Sequence, residues 1–128
     1  MSLLSSIFGN ASDVEPTEVA EEFDHVLLPD ETVEVAFRVV RDLYVFTTWR
    51  MLLVDKQGLT GRKVHLLTVP YRSMTAFSIE TAGRFDMDSE LTVWISGHGD
   101  PLRRTLKKGA NIEGVQKAIS AGMAGRNA

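Results

Sequence analysis

The sequence contains no cysteine. That excludes a disulfide framework, a thiol nucleophile and any thiolate metal site. It agrees with a reducing compartment without requiring one. Glycine and proline are sparse, ten and four among 128 residues, too few for a linker-rich or fibrous chain. Long apolar runs are missing. Internal ones such as residues 51–54 reach only four or five residues, far short of the roughly 20 that a membrane-spanning helix needs. Near the N-terminus, Leu3, Leu4, Ile7 and Phe8 are interrupted by serines and have no positive region ahead of them, so they do not read as a signal peptide. The expected location is the cytoplasm. Basic residues are absent from the first 37 positions, which hold nine acids.

What is present is ordinary for one globular domain, with 44% hydrophobic and 24% charged residues. A chain of this length buries somewhat under about 70% of its unfolded surface, enough for a core without staples. The formal charge of −3 conceals a split, because residues 38–128 carry all 14 basic residues against eight acids. Such a split accompanies an interacting face in some proteins and plain solubility in others. Residues 1–31 are therefore expected to form an acidic helical segment, and residues 32–126 the domain proper.

Helical periodicity is confined to the two ends. Over 16–28, Val19, Phe23, Val26 and Leu27 make one stripe, with Glu15, Glu18, Glu21 and Glu22 crowding the first turns. Near the C-terminus Asn111 is placed to cap a helix whose stripe is Ile112, Val115, Ala118, Ile119 and Met123. Gly114 and Gly122 weaken that helix, so it must depend on packing. Between the ends the period is two. Strands are expected over 33–39, 43–48, 50–55 and 63–69. A fifth has Thr75, Phe77, Ile79 and Thr81 on one face and ends at Gly83. A sixth puts Leu91, Val93 and Ile95 inward and Trp94 outward. A seventh puts Leu102, Arg104 and Leu106 on one face. Seven short strands with short connections predict a mainly β fold, a small antiparallel sandwich or barrel with a helix covering one end.

Several phrases then resemble a known family. They are Phe46-Thr47-Thr48-Trp49-Arg50, Val54-Asp55-Lys56-Gln57-Gly58, Thr60-Gly61 and Pro70-Tyr71-Arg72-Ser73. Glu80-Thr81-Ala82-Gly83, Phe85-Asp86-Met87-Asp88-Ser89-Glu90-Leu91 and Trp94-Ile95-Ser96-Gly97 follow in the same order. Over residues 15–120 the chain resembles the bacterial pleckstrin-homology (PH) domain family, in the branch with an extra N-terminal helix. The resemblance implies a PH-like barrel of seven antiparallel strands capped by the C-terminal helix. It also implies self-association into ring-like oligomers and no known enzymatic activity, and no cofactor is expected.

Chemistry-bearing residues are few. Asp86, Asp88 and Glu90 alternate like the start of a calcium loop, but Leu91 stands sixth where a glycine is needed and Gly97 twelfth where an acid is needed. A turn leading into a strand is the better reading. His25, His65 and His98 lack zinc spacing, and His65 is expected on an outward face. The segment Ser96-Gly97-His98-Gly99-Asp100 is a two-glycine turn rather than a nucleophile elbow. Gly58, Gly61, Gly97 and Gly99 match no phosphate-binding loop. Arg38, Arg41 and Arg50 fall where the resemblance places headgroups in PH domains that bind phosphoinositides, although Val39, Val40 and Asp42 break the usual basic pattern. Arg103, Arg104, Lys107 and Lys108 form a second cluster that guards an edge strand or meets an anionic lipid or acidic partner. Nucleic acid is not expected, since the aromatic residues needed for stacking fall mostly on core faces.

Two expectations result. The first is a non-catalytic, self-associating scaffold or binding module, with Tyr44, Trp49, Tyr71 and Trp94 as candidate interface positions. The second is a peripheral domain that binds anionic membranes at the inner membrane surface through its basic body, restrained by the acidic N-terminal segment.

Overall fold

The computed structural model describes residues 13–60, 62–81 and 88–125. Two-residue alternation becomes seven strands: β1 (Val33–Val39), β2 (Asp42–Thr47), β3 (Arg50–Gln57), β4 (Lys63–Pro70), β5 (Met74–Glu80), β6 (Ser89–Ile95) and β7 (Leu102–Leu106). They form a four-stranded sheet in the order β1-β2-β3-β4 and a three-stranded sheet in the order β5-β6-β7. Every pairing is antiparallel and joins neighbours in sequence, as short connections demand. A 3-10 turn at Tyr71–Ser73 carries the chain from one sheet to the other. Helix α1 (Pro16–Glu22) precedes the strands and α2 (Ile112–Met123) follows them.

The first sheet is apolar on both faces. Val35, Phe37, Tyr44, Phe46, Met51 and Leu53 face the second sheet and α2, meeting Leu91, Val93, Leu106, Val115 and Ile119 in the main core. The opposite face carries Val33, Ala36, Leu43, Val45, Leu52 and Val54, and it is covered by Val19 of α1 with Phe23, Val26 and Leu27. This explains the unbroken apolar run in β2, because neither side of that strand sees water. A bulge between Val33 and Val35 lets these two residues, which simple alternation would place on one face, serve different cores.

The expected helix over 16–28 stops at Glu22. Beyond it the N–H groups of Val26 and Leu27 both donate to the Phe23 carbonyl in tight turns. Those turns free the Val26 carbonyl, which accepts from Arg50; a continued helix would have used it internally. Pro29 also lacks the N–H that another turn requires. The apolar stripe survives because the turns keep Phe23, Val26 and Leu27 against the sheet.

Helix α2 starts as its cap predicts, with Asn111 Oδ1 accepting from Gly114 N at 2.9 Å. Its glycines are close-approach positions. A Cβ on Gly122 would lie 1.9 Å from the Tyr71 ring, and one on Gly114 would lie 2.7 Å from Val35 Cγ2. One further expectation needs correction. Thr75 is exposed rather than facing the core with Phe77 and Ile79, because a bulge separates Met74 from Ala76. His65 is exposed as expected, opposite Asp55 of β3. The expected strand end at Gly83, and Gly61, lie outside the described residues.

Candidate functional site

Arg50, a candidate cation for anionic ligands, is already committed. Its Nε donates to Glu31 Oε2 and one Nη to Glu31 Oε1, both at 2.8 Å. The same Nη also donates to the Val26 carbonyl at 2.9 Å. Glu31 takes two more hydrogen bonds, from Thr47 Oγ1 at 2.6 Å and Leu28 N at 3.1 Å. Burial pushes the Glu31 carboxyl up, but these donors outweigh it and hold the group below the usual carboxylate range. The pair locks the N-terminal segment onto the β2–β3 hairpin. In the sequence Glu31 is one acid among nine, and no local signal separates it from its solvated neighbours.

The other basic candidates do not converge. Arg41 lies at the β1–β2 turn and Arg50 at the far end of β3, so a strand length of about 3.4 Å per residue separates them. Arg38 approaches Glu22 at 4.0 Å, and Arg41 donates to the Gly58 carbonyl at 2.8 Å. Arg103 pairs with Glu90 at 3.9 Å and Lys107 with Asp88 at 3.5 Å. Asp88 also accepts from Lys108 N at 2.9 Å, and this backbone bond, with Lys107 beside it, holds its carboxyl below the usual range. Asp88 thus ties β6 to the end of β7, whereas Asp86 lies outside the described residues. Arg104 is half-buried, donates to the Arg103 carbonyl at 2.8 Å, and places its charge near Tyr44 and Asp55. Among the described residues no group of three His, Asp or Glu side chains is arranged to hold a metal.

Of the four aromatic interface candidates, two are corrected. Tyr44 and Tyr71 are buried within the chain's own core. Tyr71 also donates its hydroxyl to the Thr47 carbonyl at 2.7 Å, so neither has a face to offer a partner. Trp94 is 39% exposed on the outer side of the second sheet. Trp49 is half-buried at the β2–β3 turn.

Three surfaces remain for function. The first is a strip on β4. Leu52, Val54 and Lys56 of β3 pair with Thr68, Leu66 and Val64 of β4, and paired residues share a face. Leu52 and Val54 lie under the N-terminal segment, yet the strip beside them is open, with Val64 at 52% and Leu66 at 38% exposure. The second is a cleft of about 480 Å³ bordered by Leu28, Trp49, Arg50, Thr68, Pro70 and Arg72, with Gly122 and Gly125 leaving part of its wall free of side chains. The third is a pair of loop tips, where Val40 is 89% exposed and Leu59 fully exposed. The bond from Arg41 to Gly58 joins these two loops.

A two-sheet barrel of seven antiparallel strands with a C-terminal helix packed into its core is a PH-like fold. The chain belongs to the bacterial PH domain family, whose model matches residues 2–123. It is similar to the uncharacterised protein YjqA of Bacillus subtilis, with 49% identity over 122 residues, 94% of this chain and 98% of that protein. Among solved structures it is similar to a DUF1696 family protein with a pleckstrin-homology domain from Shewanella loihica, with a TM-score of 0.80 and 47% identity, covering 88% of this chain and 96% of that one. A pleckstrin homology domain from Shewanella amazonensis gives a TM-score of 0.74 and 44% identity, covering 95% and 98%.

Proposed function

We propose that the protein is a non-catalytic PH-like binding module that self-associates, using the outer face of β4 as one side of the contact. The supporting observation is the open apolar strip of Val64 and Leu66 on an edge strand. The strip continues an apolar face that is covered beside it, and a contiguous exposed apolar patch is a mark of an interaction surface. Trp94, on the other sheet, is a suitable counterpart. A contact between two different surfaces is head-to-tail and closes into a ring when the rotation permits, which is the ring-like oligomer expected of the family. The test is solution mass by light scattering at two concentrations. The full chain should exceed 14.2 kDa severalfold, and Val64→Lys with Leu66→Lys should return it to the monomer mass with the fold intact. Trp94→Ala should act in the same direction. A full chain that stays at the monomer mass sinks the proposal.

A second reading, contact with an anionic bilayer, is favoured by the two loop tips. Val40 has φ of 59°, a region that suits glycine or asparagine and disfavours a β-branched residue. A strained and exposed aliphatic residue is unexplained by the fold alone, and Arg41 sits beside it. Burying such a side chain contributes roughly 1.5 kcal/mol or more. Val40→Asp or Leu59→Asp should therefore each weaken binding to phosphatidylserine-containing vesicles about tenfold. Unchanged sedimentation with those vesicles would remove this reading.

A further inference from the structure

The Trp49 cleft is a separate site, and its chemistry is specific enough to name an occupant. We infer that it receives a short segment of a partner protein in which an apolar side chain stands next to an acidic one. Its volume of about 480 Å³ lies within the roughly 300–1,000 Å³ of ordinary ligand sites. Its walls are apolar where Leu28, Trp49 and Pro70 meet. A tryptophan in a hairpin turn, where small polar residues are usual, presents a large face at small entropic cost.

The charge balance selects the second half of the ligand. Arg50 borders the cleft, but Glu31 neutralises it from behind. Arg72 is exposed and makes no ion pair among the described residues. Among the described residues the uncompensated charge at the rim is therefore one guanidinium, whose planar fork suits a carboxylate. The backbone that carries both side chains is held before any ligand arrives. The Trp49 N–H donates to Thr47 Oγ1 at 3.1 Å, and the Trp49 carbonyl accepts from Tyr71 N at 3.1 Å. Tyr71, the neighbour of Arg72, is fixed in the core. Such preorganisation lowers the entropic cost of binding.

The full chain can be tested with 5-fluorotryptophan in place of its two tryptophans, the two fluorine signals being assigned with Trp94→Phe. Three capped peptides serve as probes: acetyl-Phe-Asp-amide, acetyl-Phe-Asn-amide and acetyl-Phe-Lys-amide. The Asp peptide should shift the Trp49 signal and bind about tenfold more tightly than the Asn peptide, a difference of about 1.4 kcal/mol. The Lys peptide should bind least. Arg72→Gln, at an exposed position that should not disturb the fold, should make the Asp and Asn peptides equal. Equal binding of these two by the unaltered chain would overturn the inference, as would a shift confined to Trp94. Light scattering in the same samples separates this site from self-association. A peptide that dissociates the oligomer would place the cleft within the contact between copies and overturn the assignment to an outside partner.

Discussion

Replacing Glu31 by alanine should destabilise the folded chain by about 3–5 kcal/mol at neutral pH, the usual cost of removing one partner from a buried ion pair. The Glu31 side chain has no exposed surface, and its carboxylate receives four hydrogen bonds from three residues. Its loss strands the Arg50 guanidinium with the Val26 carbonyl and leaves the Thr47 hydroxyl the Arg50 carbonyl, at 3.1 Å, as acceptor. Thr47 Oγ1 in turn accepts from the N–H groups of Trp49 and Arg50, so the turn that positions Trp49 loosens as well. Chemical denaturation reads the effect, and a change below about 1 kcal/mol would show that the pair is not the lock described here. Arg50→Met added to Glu31→Ala should recover part of the loss, because no unpaired charge then remains. The pH dependence follows from the lowered carboxyl of Glu31. A carboxyl lowered by folding contributes stability that is fully present above its unfolded value, about 4.3. That contribution disappears as the pH falls through the lower native value, and the Glu31→Gln variant should lack that part of the acid slope.

The strands were legible because half-buried strands write their faces as alternation, as in Leu91, Val93 and Ile95 with Trp94 opposite. Where both faces are buried, alternation vanishes. Residues 43–46 announce a strand, but nothing in them says which of two layers each side chain joins. Bulges erase the pattern too, as at Thr75. The site was less legible for a different reason. The cleft combines residues near positions 28, 49, 70 and 122, and no short-range pattern links segments so far apart. Trp49 and Arg50 were both singled out from the sequence, but for separate roles. Arg72 stands in the sequence only as part of a family phrase, because one arginine after a tyrosine carries no signal of its own until its neighbours are known. The charge split does not by itself say which surface the N-terminal segment covers. The N-terminal segment lies on an apolar face, and its ion pairs among the described residues are one exposed contact and one buried lock.

That placement reverses an otherwise attractive experiment. Charge alone predicts that deleting residues 1–31 unmasks a basic surface and strengthens binding to anionic vesicles. The geometry predicts instead that the shortened chain aggregates or loses cooperative unfolding. Deletion uncovers Val33, Ala36, Leu43, Val45, Leu52 and Val54 at once. A fully buried valine or leucine contributes roughly 1.5–3 kcal/mol, and even half of that for the five larger residues is comparable with a total stability of about 5–15 kcal/mol. The deletion also removes Glu31 and leaves Arg50 unpaired. Circular dichroism melting and light scattering of the shortened chain decide the matter before any vesicle is added. A soluble fragment with a sharp melting transition and tighter, salt-sensitive binding to phosphatidylserine vesicles would make the segment a removable electrostatic cover. An aggregated fragment makes it a structural layer, and any control of membrane contact must then lie at the loop tips around Val40 and Leu59.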